Sequence, residues 1–166
     1  MGEILRGRAF KLGDNINTDY IIAGKYTKTL DYAFLAEHLL EDVDPTIAKR
    51  IKRGDFLVAG KNFGCGSSRE QAAIAIKYAG ISAVLAKSFA RIFFRNAINL
   101  GLPALVCDTD LVDEGDELEL DIETLSLKNL SKSIPIPVVP LNKIMVNILR
   151  EGGLVPYLKK HGDYVF

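Results

Sequence analysis

Residues 56–107 read FLVAGKNFGCGSSREQAAIAIKYAGISAVLAKSFARIFFRNAINLGLPALVC, and this stretch decides the fold. Phe56-Leu57-Val58-Ala59 is an uninterrupted apolar run of strand length that stops at Gly60. After a glycine-rich loop, residues 68–79 carry a helical pattern closed by Gly80, a residue suited to the left-handed turn that ends helices. Residues 81–86 (ISAVLA) form the next strand, and residues 89–100 a helix capped by Ser88 and closed by Gly101. Residues 103–107 form a third strand. Strands that are apolar along their whole length are buried on both faces. In strand–helix–strand–helix–strand order they predict a parallel sheet covered by other elements.

Working outward, residues 4–12 (ILRGRAFKL) predict a strand ended by the polar turn Asp14-Asn15-Ile16-Asn17-Thr18-Asp19. A short apolar run, Tyr20-Ile21-Ile22-Ala23, stops at Gly24. Residues 31–42 predict a helix, with Phe34, Leu35, His38 and Leu39 at helical spacing. Asp44-Pro45 opens a second helix that stops near Gly54. Beyond the core the pattern changes. Residues 117–122 alternate strictly, as a half-exposed antiparallel strand does, and residues 126–130 can pair with them. Pro135, Pro137 and Pro140 suit a sheet edge, and residues 142–151 form a last helix stopped by Gly152-Gly153. The expectation is an α/β fold with a parallel βαβαβ core, an added antiparallel β layer and flanking helices, as one domain over residues 1–166.

Composition narrows the function. A chain of 166 residues fits one domain of roughly 100–200 residues and buries a real core without disulfides. Its 48% hydrophobic and 25% charged content excludes disorder as the main state. Twenty-one basic and 21 acidic side chains cancel, which removes the basic footprint that a nucleic-acid partner requires. No apolar run reaches the ~18–20 residues of a membrane span, and Met1-Gly2-Glu3 does not read as a signal peptide. Cys65 and Cys107 are too far apart in sequence to suggest a disulfide framework, which makes a reducing cytoplasm the expected location. With His38 and His161 they are the only soft ligands, and none of the close spacings of metal or iron–sulfur sites occurs. No metal or cofactor is expected on this chain.

The chemistry gathers in GKNFGCGSSREQ, residues 60–71. Glycines at 60, 64 and 66 allow close backbone approach, and the following helix start offers unpaired N–H donors and positive dipole potential. Ser67, Ser68 and Arg69 add two hydroxyls and a guanidinium able to grip a carboxylate bidentately. Gly64, Cys65 and Gly66 form the loop of this candidate anion site. The same letters also fit a capping box, with Ser67 and Glu70 satisfying helix-end donors and no ligand involved. Three glycines and an arginine in a first turn, where it opposes the dipole unless something negative is near, favour the binding reading.

Other motifs carry less. Gly64-Cys65-Gly66 lacks the third glycine of a dinucleotide fingerprint, and no P-loop lysine follows. Cys65 has no neighbouring histidine to activate it as a nucleophile. The 14–19 segment lacks the glutamate of a calcium loop and reads as a self-bonded turn. His38 reads as a packing residue. Arg91 and Arg95 stand four residues apart, as a solvated or partner-facing stripe or as an anion contact.

Three blocks carry a resemblance: Asp14-Asn15-Ile16-Asn17-Thr18-Asp19, residues 62–71 (NFGCGSSREQ) and residues 88–96 (SFARIFFRN). In order and spacing over nearly the whole chain, they resemble the small subunits of the 3-isopropylmalate dehydratases, the detached swivelling domain of the aconitase family. The resemblance implies a hydro-lyase that isomerises a 2-hydroxy acid by dehydration and rehydration, in complex with a large subunit. That subunit would carry a [4Fe–4S] cluster acting as Lewis acid on the leaving hydroxyl. It implies that Ser67 is the base that removes the proton, that Ser68 and Arg69 hold substrate carboxylate, and that Asp19 lies near the site and orients Arg69.

In the family the loop after the second strand reads Tyr-Leu-x-x, with its third position toward the variable end of the substrate. Here it reads Tyr26-Thr27-Lys28-Thr29. Lys28 can pair with an extra carboxylate, as in homoaconitate, or turn outward and leave its methylenes against an isopropyl group. The resemblance favours isopropylmalate and leucine biosynthesis. A homoaconitase or dual-substrate subunit is the alternative, and a non-catalytic dicarboxylate-binding module or a purely structural subunit are the readings from other classes.

Overall fold

The computed structural model describes residues 3–162. The elements are β1 (Ile4–Lys11), α1 (Thr18–Ile21), α2 (Tyr32–Glu37), α3 (Ile47–Arg50), β2 (Phe56–Val58), α4 (Glu70–Tyr78), β3 (Ala83–Ala86), α5 (Arg91–Asn99) and β4 (Ala104–Val106). They continue with β5 (Glu117–Asp121), β6 (Ser126–Asn129), β7 (Ile134–Ile136), α6 (Lys143–Arg150) and α7 (Leu154–His161). Among the described residues the strands make one seven-stranded sheet in the order β4-β3-β2-β1-β5-β6-β7. The first four run parallel, with Phe10 opposite Leu57, Leu57 opposite Val84 and Leu85 opposite Leu105. From β1 onward the pairing turns antiparallel, with Leu5 opposite Leu120 and Leu120 opposite Leu127.

Two apolar clusters explain why the core strands are apolar throughout. Alternate side chains point to opposite faces of a strand. Leu57, Ala59, Val84 and Ala104 join a cluster with Ala72, Ile76, Phe93 and Ile98 of α4 and α5. Phe56, Val58, Leu85 and Leu105 face the other way and pack with Leu118, Leu120, Leu127 and Ile136. The antiparallel strands therefore curl over one face, while the helices cover the other. A fully buried Phe or Leu of this kind contributes about 1.5–3 kcal/mol. Pro135 sits opposite Lys128 on β7, the last strand in the sheet order. Just beyond it Val138 bridges Cys107 and the Val139 N–H donates to the Val106 carbonyl at 2.9 Å, so the proline-rich segment meets the end of β4 and is not a free sheet edge as its composition suggested.

Several local expectations shift. The short apolar run Tyr20–Ala23 begins inside α1: Asn17 caps the helix by accepting from the Tyr20 N–H, and Ile21 and Ile22 are fully buried. The Tyr26–Thr29 loop consequently follows β1 and α1 and precedes β2. The helix expected over residues 31–42 runs only over Tyr32–Glu37, with Asp31 as its N-cap, and continues as turns. Asp44 caps no long helix. Its carboxylate accepts from the Thr46 N–H and hydroxyl, and α3 is a single turn. Past Gly152-Gly153 the chain adds α7, where Leu154, Tyr157 and Leu158 supply a helical apolar face.

Candidate active site

The site lies at the carboxyl ends of β1, β2 and β3, the edge where open parallel sheets bind ligands. The three loops leaving those strands are laced together. The Asn15 N–H donates to the Lys61 carbonyl at 2.8 Å, Gly64 N–H to Ile16 carbonyl at 2.8 Å, and Thr18 N–H to Cys65 carbonyl at 2.9 Å. On the other side Phe63 N–H donates to Ser88 carbonyl at 3.0 Å, and Ala90 N–H to Phe63 carbonyl at 2.9 Å. Asp14 accepts from the Lys61 N–H at 2.7 Å, and the buried Thr18 hydroxyl donates to the Ser67 carbonyl at 2.8 Å. The polar 14–19 turn thus bonds the neighbouring loop as well as itself, and fixes the backbone of Ser67.

The glycines divide their work. A Cβ on Gly60 would stand 1.8 Å from an Asp14 carboxylate oxygen, and one on Gly64 would stand 2.3 Å from Cβ of Phe93. Both positions serve chain-to-chain packing, not ligand approach as the sequence suggested, and the Gly64 N–H is occupied by Ile16. A Cβ on Gly66 would make only ordinary contacts, the nearest with Cβ of Asn17 at 3.5 Å, so glycine is favoured there by its φ of +92°.

The capping box does not form. Helix α4 starts at Glu70 with Arg69 as its N-cap and no side-chain cap bond, and Ser67 and Ser68 are exposed. The side chains of Ser67 and Ser68 take no hydrogen bond among the described residues, and the N–H groups of Gly66, Ser67 and Ser68 find no protein acceptor there. Two hydroxyls and three donors therefore face outward ahead of a nine-residue helix. Ser88 likewise caps nothing. Its hydroxyl accepts from the Asn62 N–H at 2.7 Å, and α5 begins at Arg91.

Arg69 is held from two sides. Its Nη2 reaches an Asp19 carboxylate oxygen at 2.8 Å, which supplies the negative partner that an arginine at a helix start needs. Its Nη1 is buried and has no hydrogen-bond partner. That nitrogen lies over Gly24, where an added Cβ would approach it to 2.8 Å. Asp19 is 56% exposed, so the pair adds little to stability, about 0–1 kcal/mol at most. A buried orphan N–H costs about 1–3 kcal/mol, and Nη1 is the one buried side-chain polar atom among the described residues left in that state.

A cleft of about 200 Å³ opens beside these groups, lined by Thr18, Gly66, Ser67, Ser68, Arg69 and Arg91 among others. Arg91 enters here by position. Its sequence signal, a cation four residues from Arg95, did not distinguish the cleft wall from a solvated stripe. Lys28 is not a wall of this cleft. It is exposed on the adjacent loop, with no partner among the described residues. A larger groove of about 850 Å³ lies at the amino ends of the parallel strands, where Glu3 and Glu123 mix with Arg6, Arg53 and Lys77. It contains none of the chemistry gathered at the carboxyl edge.

The remaining candidates settle into packing roles. His38 stacks on Tyr26 at 4.0 Å between ring centres and pairs with Glu41 at 3.3 Å. The Tyr26 hydroxyl donates to Glu41 at 2.7 Å, which holds the Glu41 carboxyl below its ordinary value and raises the Tyr26 phenol. His161 lies 3.7 Å from Glu151, so neither histidine stands as a base for Cys65. Cys107 is buried in the strand-covered cluster, and its thiol is pushed up to about 12, first by burial and then by Asp108. Among the described residues no three His, Cys, Asp or Glu side chains are placed to hold a metal ion.

Fold and site define a domain that presents hydroxyls, backbone donors and a guanidinium at the carboxyl edge of a curled mixed sheet. Residues 11–109 match the Aconitase C-terminal domain family, and the chain belongs to that family. It is 57% identical over 158 residues to the 3-isopropylmalate dehydratase small subunit 2 of Archaeoglobus fulgidus, covering 95% of this chain and 96% of that one. It is 47% identical over 163 residues to the methanogen homoaconitase small subunit of Methanothermobacter thermautotrophicus, covering 98% and 95%. The crystal structure of a 3-isopropylmalate dehydratase chain from Methanocaldococcus jannaschii superposes with a TM-score of 0.92 at 49% identity, covering 96% of each chain.

Proposed function

We propose that this chain is the small subunit of a 3-isopropylmalate dehydratase, a hydro-lyase that interconverts 2- and 3-isopropylmalate in leucine biosynthesis. The observation that carries the site assignment is the half-satisfied Arg69. One tooth of its fork rests on Asp19 and the other is buried without an acceptor, beside two exposed serines. In this reading Arg69 and Ser68 bind a substrate carboxylate and Asp19 sets the angle of the guanidinium. Ser67 removes the proton from the carbon next to the departing hydroxyl and returns a proton in the reverse step. A serine alkoxide needs stabilisation, and the unpaired N–H groups of Gly66–Ser68, the N-terminal end of α4 and Arg69 supply it. Gly64, Cys65 and Gly66 shape the loop that holds these donors.

The family's [4Fe–4S] cluster is assigned to the large partner subunit, where it supplies the Lewis acid for the leaving hydroxyl. This chain's described residues offer no set of ligands to hold it. The proposal places the complex in the cytoplasm with no nucleic-acid or membrane partner. Among the described residues no helix is long and apolar enough to cross a membrane. A homoaconitase or dual-substrate role is the second reading, favoured by the exposed Lys28 cation on the loop beside Arg69 and by the likeness to the methanogen homoaconitase subunit.

Anaerobic reconstitution with the large subunit tests the proposal, with turnover of isopropylmalate and homoaconitate compared. The chain alone is expected to be inactive and the complex active, with Ser67→Ala lowering kcat by about 10³-fold or more. Wild-type turnover by the Ser67→Ala complex overturns the base assignment. Tight dicarboxylate binding by the chain alone, with no association with a cluster subunit, favours the binding module. Unchanged turnover in Arg69→Ala, with stability alone reduced, favours the structural subunit.

A further inference from the structure

The loop Tyr26–Thr29 is fastened along its length, and nearly every fastening comes from its own neighbourhood. Tyr26 bonds Glu41 and stacks on His38, the Thr27 hydroxyl donates to the Gly24 carbonyl at 2.8 Å, and the Thr29 hydroxyl accepts from the Asp31 N–H at 3.0 Å. These bonds shape the loop but do not set where it sits relative to the anion-binding turn. One hydrogen bond among the described residues does so. Gln71 Nε2 donates to the Thr27 carbonyl at 3.1 Å. Gln71 lies in the first turn of α4, two residues after Arg69, and is half-buried. The acceptor is a carbonyl, so only the amide nitrogen can make this bond. Close by, Gly24 lies against the Arg69 guanidinium, and Lys28 follows Thr27 directly.

We infer that Gln71 is a positioning residue for substrate selection: its amide locks the Tyr26–Thr29 loop to the Arg69 turn and so sets the distance between the carboxylate grip and the residue that reads the substrate's far end. The inference rests on the proposed reading that this loop faces the variable end of a 2-hydroxy dicarboxylate. Its consequence is separable from that reading. Loss of the Gln71 bond lets the loop drift, which blurs discrimination between an apolar and a carboxylate end group. The proton-transfer groups at Ser67 remain in place.

The test uses the full complex with three substitutions, beside Lys28→Val. Gln71→Met keeps the length and removes the donor. Gln71→Glu removes the donor and sets a carboxylate against the Thr27 carbonyl, while suiting a helix first turn so that folding is retained. Gln71→His keeps an N–H donor. With isopropylmalate and homoaconitate as substrates, the kcat/KM ratio is expected to shrink about fivefold in Gln71→Met and Gln71→Glu, one hydrogen bond's usual worth. The change is expected in KM, with kcat within about twofold, and Gln71→His is expected to restore most of it. Hydrogen exchange over residues 26–29 is expected to quicken in Gln71→Met and not in Gln71→His, whichever substrate is turned over. Unchanged exchange and an unchanged ratio overturn the inference. An equal loss on both substrates with a lowered melting temperature also overturns it, because that is a merely structural role. A shift with Lys28→Val but none with the Gln71 variants sinks the inference and spares the loop reading. The reverse result spares the inference and removes Lys28 as the reader.

Discussion

Gly24→Ala isolates the placement of Arg69 from the stability of the fold. Gly24 does not use a left-handed backbone conformation, so alanine is compatible with the chain there. A Cβ at this position would meet Nη1 at 2.8 Å, Nη2 at 3.2 Å and Cζ at 3.5 Å, all atoms of one flexible side chain. The nearest of these is about 0.6 Å inside ordinary contact, and the guanidinium, not the backbone, gives way. Global stability is expected to stay within about 1 kcal/mol, because the Gly→Ala gain in unfolded-state entropy offsets the local repacking. Activity responds differently. A misplacement of about 1 Å at a substrate-orienting group costs about 10²-fold, so a shift of this size is expected to lower kcat/KM about ten- to thirtyfold. The assay is kcat/KM of the reconstituted complex beside a thermal melt of the isolated chain. The control is the same substitution in an Arg69→Lys background, where the fork is absent and Gly24→Ala is expected to add little. Wild-type activity in Gly24→Ala, or a loss that simply adds to that of Arg69→Lys, refutes the claim that Gly24 holds the guanidinium in place for catalysis.

Asp19→Asn keeps an oxygen near Nη2 and removes the charge. It is expected to lower kcat/KM about tenfold while stability moves by no more than about 0.5 kcal/mol, the pair being half exposed, and an unaltered kcat/KM would detach Asp19 from the site. Gly64→Ala has the opposite profile. A φ of +82° and a Cβ 2.3 Å from Phe93 are expected to cost about 2–3 kcal/mol or more in a denaturant titration, with a midpoint shift absent if the loop can relax. The Tyr26 bond holds the Glu41 carboxyl below its ordinary 4.5, so its stabilisation is present above the unfolded value and is lost as pH falls through the folded one. Hydrogen exchange at residues 26–29 is therefore expected to quicken as pH drops from about 5 to about 3, after correction for intrinsic exchange. In Tyr26→Phe this acid step is expected to shrink, and an equal step in both proteins counts against the bond.

The parallel core was legible because each strand had to be apolar on both faces. Phe56 and Leu57 point into different clusters, and only a sheet covered on two sides asks for such a run. Helix starts were harder to read because their local signals were claimed by distant partners. Ser67 and Glu70 spell a capping box, yet Thr18, 49 residues away, takes the Ser67 carbonyl, and the helix begins only after Arg69. Ser88 spells a cap and instead accepts from Asn62, 26 residues upstream. The glycines misled in a related way. Gly60 and Gly64 mark places where one part of the chain presses on another, and single-sequence pattern does not separate that demand from the approach of a ligand. At Arg69 the sequence argument is answered from inside the chain. A cation at a helix start needs a nearby anion, and Asp19 provides it, so the arginine's position does not by itself call for a ligand.

The division of labour around Arg69 follows from the same geometry. The groups that lace the three loops, Asp14, Thr18, Gly60 and Gly64, spend their hydrogen bonds and close contacts inside the chain. The hydroxyls that face the cleft, Ser67 and Ser68, take no hydrogen bond among the described residues, and Nη1 of Arg69, buried over Gly24, takes none either. Buried polar groups are ordinarily hydrogen-bonded, so an unpaired Nη1 costs the fold some stability. In the proposed function a substrate carboxylate on Arg69 would relieve that cost, and the fold's stability and the site's affinity would draw on separate residues. Substitutions at the lacing positions should therefore move denaturant midpoints, while those at Asp19, Gly24 and Gln71 should leave the midpoints nearly unchanged and act on kcat/KM.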